Sequence, residues 1–86
     1  MLESAQIRAA RALLGWHQEE LAKRAKIGLA TIQRLERAPP GPVMAHVATV
    51  VKITRCLEKA GVAFIASDEE AGIGVRFGNK FERVRR

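Results

Sequence analysis

The fold is decided by residues 18–36, which read QEELAKRAKIGLATIQRLE. The charged residues of the first half fall on one side of a helical projection, and small or branched apolar residues fall on the other. These apolar residues, at helical spacing, are Leu21, Ala22 and Ala25. The pattern predicts a short amphipathic helix with one buried face.

The second half of this stretch predicts another short helix. Ile32 and Leu35 lie three residues apart and mark its inward face, while polar and basic side chains occupy the rest of its surface. Only residues 26–28 join the two helices, and the small side chain of Ala22 lets them cross closely. Ile27 is expected to fill the corner of this tight turn.

These residues resemble the helix-turn-helix of the phage repressor and Cro-like regulators, often called the Xre family. The resemblance extends back through residues 7–16, IRAARALLGW, which look like the family's first helix and its link into the motif. It covers roughly two thirds of the chain. It implies a mostly α fold, a four-helix repressor-like helix-turn-helix bundle, and a function in binding double-stranded DNA.

The flanking sequence predicts two more helices. Ser4 is a candidate cap for a first helix that ends at Gly15. The prolines within residues 38–42 must end the second helix of the motif by about Arg37. A fourth helix is predicted over residues 43–59. Its expected inward stripe comprises Val47, Val50, Val51, Thr54 and Leu57.

After the fourth helix the pattern changes to two β-rich runs, residues 62–66 and 73–77, which flank an acidic turn and predict a C-terminal β-hairpin. A lone hairpin is marginal in water, so it should pack on the helices or pair with a second subunit. The candidate dimer-interface residues are Phe64, Ile65, Val75 and Phe77. The predicted units are a DNA-binding domain at 1–61, a dimerisation hairpin at 62–78 and a basic tail at 79–86.

Charge and cysteine content limit the possible functions. The 86-residue chain has a net charge of +6 and a pI of about 10.5, which favours a polyanionic partner. The single cysteine, Cys56, cannot form an internal disulfide, and no signal peptide or long apolar span is evident, so we expect a cytoplasmic protein without a membrane partner. His17 and His46 lack the companions of a zinc site, so no metal is expected.

The resemblance implies two sets of DNA contacts. The positions that meet base edges in the family fall on Leu29, Ala30, Gln33 and Arg34. Those that lean on phosphates fall on Gln18, Gly28 and Thr31. Lys26 and Arg37 are expected to add phosphate contacts through their positive charge. Chemically, Arg34 suits guanine, Gln33 suits adenine, and the two apolar residues suit thymine methyl groups.

Arg11 and Glu36 match a pair that forms a structural salt bridge in repressor-like domains. Two positions depart from the family pattern. Lys26 occupies the turn position that is usually glycine, and a non-glycine residue there carries a steric penalty. Gly28 replaces the usual serine or threonine cap of the second motif helix.

The resulting hypothesis is a sequence-specific DNA-binding transcriptional regulator that represses as a homodimer. The alternative is an antitoxin-type interaction protein whose C-terminal segment binds a toxin. An enzyme is not expected, because the chain shows no nucleophile with a base, no metal-ligand spacing and no phosphate-cradling glycine loop. Neither a cofactor nor a small-molecule ligand is expected.

Overall fold

The computed structural model describes residues 2–78 and consists of four helices followed by a two-stranded antiparallel sheet. The elements are α1 (Ser4–Leu14), α2 (Gln18–Ala25), α3 (Leu29–Arg37), α4 (Val47–Lys59), β1 (Val62–Ile65) and β2 (Gly74–Phe77). The predicted mostly α fold with a C-terminal hairpin is therefore confirmed. The predicted basic tail lies outside the described residues.

All four helices contribute to one hydrophobic core. Its fully buried large side chains are Ile7, Leu21, Ile32, Leu35, Ile53 and Leu57. Leu21, Ile32 and Leu35 come from the stretch that decides the fold, so the inward faces predicted for α2 and α3 are the observed ones. None of the helices in the described part of the chain is both long and apolar enough to cross a membrane.

The cap of α1 differs from the prediction. Glu3, not Ser4, is the N-cap: its backbone is extended, and its N–H donates to Gln6 Oε1 at 3.0 Å, as in a capping box. Ser4 is the first helical residue and is buried. Its hydroxyl donates instead to the Ala38 carbonyl at 3.4 Å, which joins the start of α1 to the end of α3.

The start of α4 was also predicted wrongly. Residue 43 was expected to be helical, but the backbone N–H of Val43 donates to the Leu2 carbonyl at 3.0 Å, and the chain remains non-helical up to His46. Val43 is buried in the core. The segment before α4 thus pairs with the start of the chain, and the helix begins at Val47.

The inward stripe of α4 is rotated from the predicted one. Ile53 and Leu57 are fully buried, whereas Val47 is 78% exposed and Val51 is 37% exposed. The helix carries apolar residues around more of its circumference than one buried face requires, so spacing alone did not select the correct face. Val50 and Leu57 are the members of the predicted stripe that pack in or against the core.

The hairpin packs on the helices. Its register pairs Val62 with Phe77 and Phe64 with Val75, and Val62 is buried in the core. Gln6 on α1, itself buried, fastens the sheet because its Nε2 donates to the Gly74 carbonyl at 3.1 Å. A hairpin that is marginal alone was expected either to pack on the helices or to pair with a second subunit, and the structure shows packing on the helices.

The acidic loop of the hairpin is ordered by Asp68. One of its carboxylate oxygens accepts hydrogen bonds from the backbone N–H groups of Glu70 and Ala71, at 2.8 and 2.9 Å. These two bonds stabilise the ionised form of Asp68 and lower its pKa below the ordinary value. The bond from the Glu70 N–H contributes most to this shift. The carboxylate has a structural role in the turn.

Candidate nucleic-acid interface

The turn between α2 and α3 has the tight geometry expected for the motif. Lys26 ends α2 with φ 60° and ψ 45°, in the left-handed region, and it is the only non-glycine residue with positive φ among residues 2–78. The N–H of Ile27 then donates to the Ala22 carbonyl at 3.0 Å, and the Ile27 side chain packs against the core. Lysine therefore occupies a left-handed backbone position that usually holds glycine, and this strain costs about 1 to 2 kcal/mol of folding free energy.

The amino end of α3 faces outward without a side-chain cap. Gly28 is the N-cap, its conformation is extended, and no side-chain hydrogen bond closes this end. A Cβ added to Gly28 would meet no atom within 4 Å, so the space in front of this end is open. The first backbone N–H groups of a helix have no intrahelical partner and carry partial positive charge, which makes this end suitable for an anion.

The exposure of α3 divides its residues into two faces. Ile32 and Leu35 are buried, and Ala30, Arg34 and Arg37 are exposed. Half-buried positions lie at the border: Leu29, Thr31 and Gln33. Leu29 also packs against the core, so only part of its side chain is available to a ligand.

A second wall stands beside this outward face. Thr31 and Arg34 line a concavity of about 410 Å³ together with residues from the segment before α4. Those residues include Met44 and His46, both exposed. The sequence pattern did not predict that these residues lie beside α3, because their position depends on the non-helical path of residues 43–46.

A buried ion pair fixes the far end of α3. The Arg11 guanidinium contacts Glu36 with both Nε and Nη2, at 2.7 and 2.8 Å from the two carboxylate oxygens. The Glu36 side chain is only 3% exposed, and that of Arg11 is 21% exposed. Hydrogen bonding to Glu36 raises the pKa of Arg11, so the guanidinium stays charged.

Further hydrogen bonds extend this pair into a network. Arg11 Nη1 donates to the Trp16 carbonyl at 2.9 Å, and Arg8 Nη1 donates to the backbone carbonyl of Glu36. The part played by Arg8 was missed, although its position one turn before Arg11 places it on the same side of α1. The network holds α3 in a fixed orientation relative to α1 and to the α1–α2 junction.

Gln18, one of the candidate phosphate-contacting residues, has its side chain in the same network. Its Nε2 donates to the Glu36 carboxylate at 3.0 Å. Gln18 is also the first residue of α2, where backbone N–H groups lack intrahelical partners. Because the side chain is engaged by Glu36, the backbone amide of Gln18 is the group that remains available to a phosphate at this helix end.

The hairpin residues considered for dimerisation lie away from this surface. The strands contact α1 and, through β1, α4. Phe64 and Val75 pack against the core, and all four candidates are half-buried: Phe64, Ile65, Val75 and Phe77. The structure thus keeps the α3 surface and the hairpin as separate regions.

The geometry of residues 18–37 is that of a helix-turn-helix with an outward second helix. A family model described as helix-turn-helix matches residues 7–60, more than half of the chain. The chain belongs to the Cro/C1-type helix-turn-helix family. Membership identifies it as a DNA-binding helix-turn-helix regulator whose ligand is double-stranded DNA. The match covers most of α1 and all of α2 to α4, and it ends before the hairpin.

A search of curated proteins gave no match to the chain. In the part of the structure that is described, no three histidine, cysteine, aspartate or glutamate side chains come together as a metal site.

Proposed function

We propose that this helix-turn-helix protein is a sequence-specific transcriptional repressor that binds double-stranded DNA as a homodimer. The observation that carries the proposal is the outward face of α3. Arg34 and Ala30 are exposed there, the helix begins at an open, uncapped amino end, and the Glu36 network holds its other end. A rigid helix with a polar outer face suits insertion into a major groove.

Base reading is assigned to the outer face of α3. The exposed Arg34 pairs with guanine, and the half-buried Gln33 pairs with adenine. Ala30 and the accessible part of Leu29 lie against thymine methyl groups. Each good bidentate pair contributes about 1 to 3 kcal/mol of discrimination against the wrong base.

Phosphate binding is assigned to helix ends and flanking charges. The amides that follow Gly28, together with Thr31, bind one phosphate, and the backbone amide of Gln18 binds another. The exposed side chains of Lys26 and Arg37 add positive charge. Binding should weaken with salt by about 0.9 log units per neutralised phosphate.

Dimerisation would place two copies of α3 about 34 Å apart, in successive major grooves on one face of the duplex. The corresponding site is a pseudo-palindrome. Occupancy of a promoter by this dimer would block polymerase without any catalytic step. The protein would then act in the cytoplasm, together with the DNA.

The antitoxin alternative is favoured by one observation, that the hairpin lies outside the family match. A truncation before β1 is not a suitable test, because it would remove Val62 from the core. A better test of the antitoxin alternative is a substitution of Arg76, which is exposed on β2. Loss of a copurifying protein with unchanged DNA affinity in Arg76→Glu would support the alternative.

The proposed function is tested by selecting sites from a random duplex library at two salt concentrations. The proposal predicts enrichment of a palindromic sequence that persists at the higher concentration. Recovery of unrelated sequences at low salt, and of none at high salt, would show that binding is only electrostatic adhesion and would contradict the proposal.

A further inference from the structure

Helix α4 carries apolar side chains that the bundle does not cover. Val47 and Val51 are four residues apart on one face, and they are 78% and 37% exposed. Ile53 and Leu57 already fill the inward face. We call Val47 and Val51 the α4 ridge.

A groove of about 340 Å³ runs beside this ridge. One wall comes from α4 itself, through Val50, Thr54 and Glu58. The opposite wall includes Phe64 and Ile65 of β1. The ridge and the groove share α4, so they lie side by side on the same surface of the protein.

We propose that this surface binds a second copy of the chain, with the two α4 ridges in contact at Val51 and Val47 of each copy in the groove of the other. A twofold contact is self-complementary, because residue i of one copy meets residue j of the other and the reverse. A projection next to a matching groove satisfies that requirement. The inference specifies the interface of the proposed homodimer and so rests on the proposed function.

The charges of α4 favour an antiparallel arrangement of the two helices. The first turn of α4 contains no acidic residue, and its N-cap, His46, makes no side-chain capping bond. This end therefore keeps its partial positive charge. Glu58 lines the groove near the opposite end of the helix and is exposed.

In an antiparallel pair whose twofold axis crosses the ridge face of α4 midway along the helix, Glu58 of each copy faces the amino end of the other α4. Val51 of the two copies then meet at the centre, and each Val47 enters the groove beside the stem of Glu58. Both halves of the interface combine apolar contact with an opposite-charge contact. Phe64 and Ile65 take part as the groove wall, whereas Val75 and Phe77 do not.

The test begins with the oligomeric state of the full chain and of Val51→Glu, measured by sedimentation equilibrium with and without the selected duplex. Two carboxylates would meet at the axis of the variant, so its dimer dissociation constant should rise by about 100-fold. Lys52→Gln is the control, since it changes the net charge by the same amount at an exposed position that is rotated about 100° around the helix from Val51 and so points away from the ridge. Circular dichroism would verify that both variants are folded.

A disulfide provides a second readout that does not depend on weakening the contact. Val51→Cys in a Cys56→Ser background should form a covalent dimer on mild oxidation, because the proposed contact would bring the two Cα atoms of residue 51 within the separation of about 4.4 to 6.8 Å that a disulfide spans. Lys52→Cys in the same background should remain mostly monomeric on a reducing-agent-free gel.

The outcomes separate this inference from the proposed function. A wild-type dimer that Val51→Glu dissociates, and that Val51→Cys cross-links, supports the α4 interface. A wild-type dimer that neither variant affects overturns the α4 interface and leaves the homodimer in place. A chain that is monomeric both free and on its selected site overturns the homodimer, and with it this interface.

Discussion

Replacing Arg11 with alanine should destabilise the protein strongly, because it leaves Glu36 as a buried carboxylate. Three of the hydrogen bonds in the α1–α3 network come from Arg11, and Glu36 would keep only its side-chain bond from Gln18, at 3.0 Å. Breaking a buried pair costs about 3 to 5 kcal/mol. The guanidinium is 21% exposed, which places the expected loss near about 3 kcal/mol, the lower end of that range.

A loss of this size should be visible in thermal denaturation followed by circular dichroism. For a domain of this length, about 1 kcal/mol lowers the melting temperature by roughly 4 to 8 °C. Arg11→Ala should therefore melt roughly 12 to 24 °C below the wild type. Urea unfolding at a fixed temperature gives the free energy of unfolding independently.

The matched comparison uses one chemical change at two ion pairs. Glu36→Gln removes the charge from the buried pair, whereas Glu20→Gln removes it from the exposed pair with Arg24, whose side chains are 41% and 55% exposed. The exposed pair should contribute less than about 0.5 kcal/mol, so Glu20→Gln should melt close to the wild type. Equal losses in the two variants would contradict the assignment of stability to burial.

One result would refute the structural role of Arg11 altogether. If Arg11→Ala keeps the wild-type melting temperature and loses affinity for the selected site, Arg11 acts on DNA and not on the scaffold.

Four further predictions concern single positions. Arg34→Ala should relax base preference at one position of the selected site by about 1 to 3 kcal/mol, and an unchanged preference would remove Arg34 from base reading. Gly28→Ser has room for its side chain and an ordinary φ of −63°, so the added cap should raise the free energy of unfolding by a few tenths of a kcal/mol; a lower melting temperature would contradict this. Gln6→Leu removes both the donor to the Gly74 carbonyl and the acceptor of the Glu3 backbone N–H, so it should cost about 1 to 3 kcal/mol, with faster amide exchange in the hairpin than in α3. Burial raises the pKa of the Cys56 thiol, so its reaction with a disulfide reagent at neutral pH should be slower than that of a cysteine in the unfolded chain and should accelerate as the pH rises; equal rates would contradict the burial.

The predictable part of this fold is the part specified by neighbouring residues. The inward positions of α2 and α3, the left-handed Lys26 and the end of α3 before the prolines all follow from patterns within a few residues. The Arg11 to Glu36 contact spans 25 positions, yet the family resemblance indicated it because it ties the first helix to the second helix of the motif.

The errors arose where distant residues decide the local structure. Val43 is non-helical and donates its backbone N–H to the Leu2 carbonyl, and no pattern near Val43 shows that contact. The attachment of the hairpin depends on Gln6, which lies 68 positions from Gly74 and reads locally as an ordinary helical residue. The inward face of α4 was misassigned because its surplus of apolar residues made several faces acceptable.

The central claim is that the outward face of α3 is the DNA-reading surface. The most direct measurement is a titration of isotopically labelled protein with the selected duplex, followed through the backbone amide signals by NMR. DNA reading by α3 should give the largest changes at residues 28–34 and at the start of α2, with small changes in the hairpin strands. Changes centred on residues 62–77, with α3 unaffected, would contradict it.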